Sequence, residues 1–133
     1  MNVTTVRDEL VEQLASITGL TVSERVPSVL QPPHAFISNI TVRPGETFDG
    51  LVAFTFELTV LVSRADDDNG WDKISDYIGT GSGSIDFAIQ ANNTLDTTVQ
   101  WTTLQEFDQL GASFDFAGVP YLGFTATVIG AST

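Results

Sequence analysis

Apolar residues occupy every second position from Val52 to Val62, as Val52, Phe54, Phe56, Leu58, Val60 and Val62, with Thr55, Glu57, Thr59 and Ser63 among the positions between and after them. A period of two held over this length predicts a central, half-buried strand. Immediately after Arg64 the pattern changes. Asp66, Asp67, Asp68 and Asn69 follow, and then Trp71, Ile74, Tyr77 and Ile78 recur at helical spacing. Carboxylates favour a helix N-terminus, where unpaired amides and the helix dipole attract negative charge. The stretch from Gly50 to Gly83 therefore predicts strand, acidic turn, helix and a Gly/Ser loop in succession.

The other elements arrange themselves around this stretch. Val3, Val6, Leu10, Leu14 and Ile17 fall on one stripe of a helix, with Asp8, Glu9, Glu12 and Gln13 on the other side. Asn2, Thr4 or Thr5 supplies its cap, and Gly19 its stop in a left-handed residue. Thr21 to Val26 is a short β-rich run, and Pro27 and Pro32-Pro33 extend the connection that follows. His34 to Val42 predicts a strand with Phe36, Ile40 and Val42 on one face. Pro44-Gly45 and Asp49-Gly50 make Arg43 to Gly50 an exposed hairpin tip. Ser84 caps a second short helix running to Ala91, with Phe87 and Ile89 or Ala88 facing inward and Asn92-Asn93 ending it. Thr97 to Phe107 predicts a strand with Val99, Trp101 and Phe107 on one side. Leu110 to Phe116 and Val119 to Ile129 then form a hairpin turning at Ala117-Gly118. The expected fold is a single α+β domain over residues 1–133, with a mostly antiparallel sheet, an N-terminal helix and an inserted helical pair packed on one face.

Composition narrows the functions. A chain of 133 residues buries roughly two thirds of its unfolded surface, and 42% apolar content with nine Phe supplies a core. A formal charge of −12 repels phosphate, so no electrostatic footing for nucleic acid exists. The absence of cysteine excludes disulfides, zinc thiolate sites and thiol catalysis. The opening MNVTTVRDELVEQL is charged and amphipathic rather than signal-like, and no run is long enough to span a bilayer, which predicts a protein kept in a cytoplasm or a particle.

Each candidate for chemistry has a simpler structural explanation. Asp66, Asp67, Asp68, Asp72 and Asp76 invite a calcium reading, but counted from Asp66 the sixth residue is Trp71, where a calcium loop needs Gly. Helix capping and a solvated face account for them. His34 is the only histidine and has no nucleophile context, GTGSGS lacks the lysine of a phosphate loop, and no serine lies in GxSxG. No catalytic, cofactor-binding or metal-binding residue is assigned, and no cofactor is expected. Of the large aromatics, Trp101 on its alternating strand reads as core. Trp71, just after an exposed turn, reads as a contact residue.

Three stretches together carry a resemblance: VRDELVEQLASITGLTV, LTVLVSRADDDNGWDKISDYIGTGSGSIDFAI and AGVPYLGFTATV. They resemble the tail terminator, or tail completion, proteins of long-tailed bacteriophages, especially those infecting actinobacteria. The resemblance implies a non-enzymatic virion subunit, assembled in the host cytoplasm, that forms a ring, commonly a hexamer, on the last ring of the tail tube. Such a ring stops tube growth and presents a surface to the head-tail connector, while DNA passes through without specific binding. Its partners would be copies of itself, the tail-tube protein and the connector or stopper protein. Arg43, Glu46, Phe48, Asp66, Asp67, Asp68, Trp71, Gly81 and Gly83 are the candidate interface residues. Another neck component or a tail-tube subunit is the near alternative, and a small-ligand-binding domain or enzyme the distant one.

Overall fold

A computed structural model describes residues 2–44 and 51–132. Along the chain run α1 (Val3–Leu14), β1 (Thr21–Ser23), β2 (His34–Arg43), β3 (Val52–Arg64), α2 (Gly70–Ile78), α3 (Ile85–Ala91), β4 (Trp101–Phe116) and β5 (Val119–Ser132). The strands form a five-stranded sheet of order β1-β2-β3-β5-β4, which places the alternating β3 at its centre. Only β1 runs parallel to its neighbour; the other three pairings are antiparallel. This is the expected α+β architecture.

One face of the sheet carries the core. Phe54, Phe56, Leu58, Val60 and Val62 of β3 are flanked across the ladder by Ala35 and Ile37 of β2 and by Phe124, Ala126 and Val128 of β5. Onto this face pack Val6, Leu10 and Leu14 of α1, Ile74 and Tyr77 of α2, and Ile85, Ala88 and Ile89 of α3. Each fully buried aliphatic or aromatic side chain contributes about 1.5–3 kcal/mol, so β3 is the main contributor to stability.

The helix ends follow local chemistry. Asn2 caps α1, its Oδ1 accepting from the Thr5 amide at 3.1 Å. The helix stops at Leu14 rather than running on towards Gly19. The Ser16 and Ile17 amides donate to the carbonyls of Gln13 and Leu14, so the chain tightens into i→i+3 turns that still deliver Ile17 to the core. Gly19, at φ +83°, then reverses it. Ser84 caps α3 by accepting from the Phe87 amide, as expected, but Phe87 itself is exposed, and Ile85, Ala88 and Ile89 make the inward face.

Bulges explain the remaining departures. A register shift between Ile37 and Asn39 changes the parity of β2, so Ile40 and Val42 lie on the core face while Phe36, opposite Thr59, lies on the other. A shift between Leu104 and Glu106 does the same in β4: Phe107 pairs with Ala126 on the core side, whereas Trp101 and Thr103 share the outer face with Ile129. Trp101 is accordingly 41% exposed rather than core. Val99 is buried but precedes the strand. Thr97–Phe107 and Leu110–Phe116, expected as separate segments, overlap one continuous strand, interrupted where Gln109, Leu110 and Gly111 stand opposite Phe124 alone. The hairpin turn is where the sequence places it, with Ala117 at φ 52° and Gly118 at φ 81°, the positive pair a tight two-residue turn demands.

Candidate functional site

The acidic turn is held by Asp67. Its Oδ1 accepts from the Asn69 amide at 2.8 Å and its Oδ2 from Lys73 Nζ at 2.8 Å, tying the turn to the first turn of α2. The Lys73 ammonium, aided by the Asn69 amide, holds the Asp67 carboxyl below the usual carboxylate range. Asp66, Asp68, Asp72 and Asp76 are exposed. Among the described residues no group of His, Cys, Asp or Glu side chains converges as metal ligands would.

Gly70 opens α2 at a close approach. A Cβ there would lie 2.2 Å from Leu122 Cδ2 and 3.2 Å from Ser63 Oγ, so any other residue would push the Leu122 side chain aside where the helix starts against β3 and β5. With Ile74 and Tyr77 turned into the core, Trp71 faces outward and is 58% exposed. Its ring lies over the β4 bulge: a Cβ at Gly111, where φ is +76°, would sit 2.2 Å from Trp71 Cζ2. The adjacent Leu110 is 41% exposed. Trp71 and the bulge therefore form an apolar surface on the open edge of the sheet, with exposed acids at Asp66, Asp68, Asp72, Glu106 and Asp108 before, within and after it in the chain. Leu110 and Gly111 belong to this surface although sequence reading assigned them only to a strand; a glycine interrupting an alternating run is the signal that marks such a bulge.

The other candidates disperse. Gly81 and Gly83 are exposed with open space where a side chain would stand. They lie beyond the C-terminus of α2, across about 13 Å of helix from Trp71, and the Gly81 carbonyl accepts from both the amide and the hydroxyl of Ser84. Arg43 sits at the far end of β2, opposite Ala53, with its guanidinium on the Thr55 hydroxyl at 3.1 Å. Along β3 that end is roughly 37 Å from Arg64 and the acidic turn. Glu46 and Phe48 lie outside the described residues. The nine candidates thus do not form one surface.

A second feature lies at the opposite edge. Val11, β1, the 24–29 segment, Gln31 and His34 line an open groove of about 820 Å³. His34 is 2% exposed and pairs with Ser23, Nε2 to Oγ at 2.7 Å, while the Gln31 amide donates to Nδ1 at 3.1 Å. An amide can only donate, so Nδ1 is the acceptor, and Nε2 carries the proton and donates to Ser23. Activation of a serine requires Nε2 to accept. The dyad therefore has the wrong tautomer for a nucleophile, and burial lowers the His34 pKa, favouring the neutral ring. Its effect is to hold β1, the connecting loop and β2 together. Near it Arg7 binds Asp8 and Glu24 at 3.2 Å each, while Arg25 is exposed and makes no ion pair among the described residues.

Among the described residues no helix is long and apolar enough to cross a membrane. No model of a known protein family matches this chain, and no curated protein matches it.

Proposed function

We propose that this protein is a structural virion subunit that assembles with copies of itself into a ring at the head-proximal end of a bacteriophage tail tube, ending tube growth and joining the tail to the head connector. The observation that carries the assembly part is the open edge of β4. Within the sheet this strand of 16 residues pairs with β5 alone; the Thr102 amide donates to the Asn93 carbonyl at its start, and at its bulge it presents Leu110 beside the exposed Trp71. An unpaired edge with exposed apolar residues is a template for another chain. The place in the tail comes from the resemblance in the α1–β1, β3–α3 and β5 stretches. The charge of −12 suits a channel through which DNA slides without adhering. On this reading the protein has no catalytic role, and its partners are itself, the tail-tube protein and the connector.

Mixing the purified protein with growing tail tubes tests the proposal. Capped tubes of arrested length are expected, seen by electron microscopy; tubes that lengthen unchecked at saturating protein would refute it. Binding to tailless heads without capping would move the protein to another position in the neck. Trp71→Ala is expected to reduce ring formation while leaving the thermal midpoint nearly unchanged, because the ring is exposed. A subunit that unfolds on this change would make Trp71 a core residue and send the interface elsewhere.

A further inference from the structure

The two edges of the sheet present unlike surfaces. At the β1 edge the groove is bordered by Val26 and Val29, 57% and 68% exposed, with Arg25 between the groove wall and solvent. In a chain with 17 acidic and five basic residues, a cation without a carboxylate partner is an unfilled demand for negative charge. At the β4 edge the positive φ of Gln109 and Gly111 bends the strand, leaving Asp108 and Leu110 exposed on either side of Gln109, with Glu106 before them. One edge is a groove with apolar walls and an arginine that makes no ion pair among the described residues; the other is an apolar knob with exposed carboxylates, of which Asp108 accepts from the adjoining Gln109 amide at 2.7 Å.

We infer, resting on the ring reading above, that the β4 bulge of one copy seats in the β1 groove of the next, with Leu110 between Val26 and Val29 and Asp108 on Arg25. The occupant is a second copy because charge and shape select it over like-with-like pairing. Two β4 edges brought together would set Glu106, Asp108 and Asp115 of one copy against the same acidic strand of the other, which carries no cation, and like-charge juxtaposition at an interface costs several kcal/mol. The two surfaces lie on opposite edges of a five-stranded sheet, about 19 Å apart at ~4.8 Å per strand. Contact between two different patches is head-to-tail, and such contacts close into rings or run on as filaments rather than stopping at a dimer.

Charge reversal tests the pairing, with molecular mass in solution measured by sedimentation across a concentration series. Arg25→Glu and Asp108→Arg are each expected to weaken association at least about tenfold, with an unchanged thermal midpoint for Arg25→Glu, whose side chain is exposed, and a small fall for Asp108→Arg, which also removes the acceptor of the Gln109 amide. The double variant, which restores the pair with its signs exchanged, is expected to recover most of the loss. Leu110→Asp is expected to weaken association without rescue by either change. Rings unaffected by the single reversals, a double variant no better than the singles, or assembly that stops at a dimer would each overturn the inference. Rings that obey the charge swap but leave tail tubes uncapped would overturn the tail assignment alone. A wild-type chain that stays monomeric both free and on tail tubes would overturn both.

Discussion

β3 and β4 belong to one sheet, and each is an alternating, aromatic-rich strand, yet they behave oppositely. β3 has neighbours on both sides and helices over one face; Phe56, Leu58 and Val60 are wholly removed from solvent. β4 has a neighbour on one side only and two register shifts against β5, where β3 has one, between Leu61 and Ser63, and it exposes Trp101 and Leu110. The difference shows what burial does to a strand. When one face is packed, a slip of one residue would move every apolar side chain out of the core, so β3 holds one register against β5 from Val52 to Leu61 and shifts only beyond it. At an edge the penalty is small, and the strand accommodates bulges that aim side chains outward, where another chain can meet them.

Substitutions sharpen this contrast. Leu58→Ala, at the centre of β3, should cost about 2–5 kcal/mol through lost transfer energy and a cavity, read as a lower denaturation midpoint; a loss under about 1 kcal/mol would mean β3 does not dominate the core. Gly111→Ala, at the β4 bulge, should cost only about 1–2 kcal/mol. Its Cβ is strained at positive φ and meets the Trp71 ring, which is exposed and free to swing aside. Tryptophan fluorescence should therefore change in the folded state, and an unaltered spectrum would show that Trp71 does not lie on the bulge.

The smallest effect is expected at the β1 edge, from pH. Burial lowers the His34 pKa in the folded chain, so the unfolded chain binds its proton more readily. The stability this contributes is fully present above the unfolded value of about 6.5 and is lost as pH falls through the depressed folded value. Acid also removes the acceptor at Nδ1 that the Gln31 amide requires. Replacement of His34 by Gln should flatten the fall in stability as pH drops below about 6.5; an unchanged slope would place the acid sensitivity elsewhere. Asp67 acts only in stronger acid: its folded pKa is below 3.8, so its contribution is present above that value and lost below it.

Much of the candidate site is legible in the chain. The acidic turn, the α2 helix and the outward Trp71 follow from local spacing, and the structure puts them together. Arg43 joins them as a candidate only because it opens an exposed hairpin tip, and the length of β3 separates them. Leu110, Gly111 and Arg25 gained their significance only in three dimensions, since a bulge, a ring lying over a glycine and a cation without a partner are relations between segments distant in sequence.

The sequence by itself determined the elements whose signal is local: the period-two run of β3, the Val6–Leu10–Leu14 stripe of α1, the Ser84 cap of α3 and the Ala117-Gly118 turn. Each rests on interactions within a few residues, and there the dominant energy is read directly from neighbours in the chain. Only the tertiary structure decided the parity of β2 and β4, the parallel placement of β1 and the exposure of Trp101. A bulge shifts which face a side chain joins, and whether one forms depends on the strand opposite and on what covers the sheet. That energy belongs to pairs of strands rather than to either sequence segment, and so the two edges took their character from the fold.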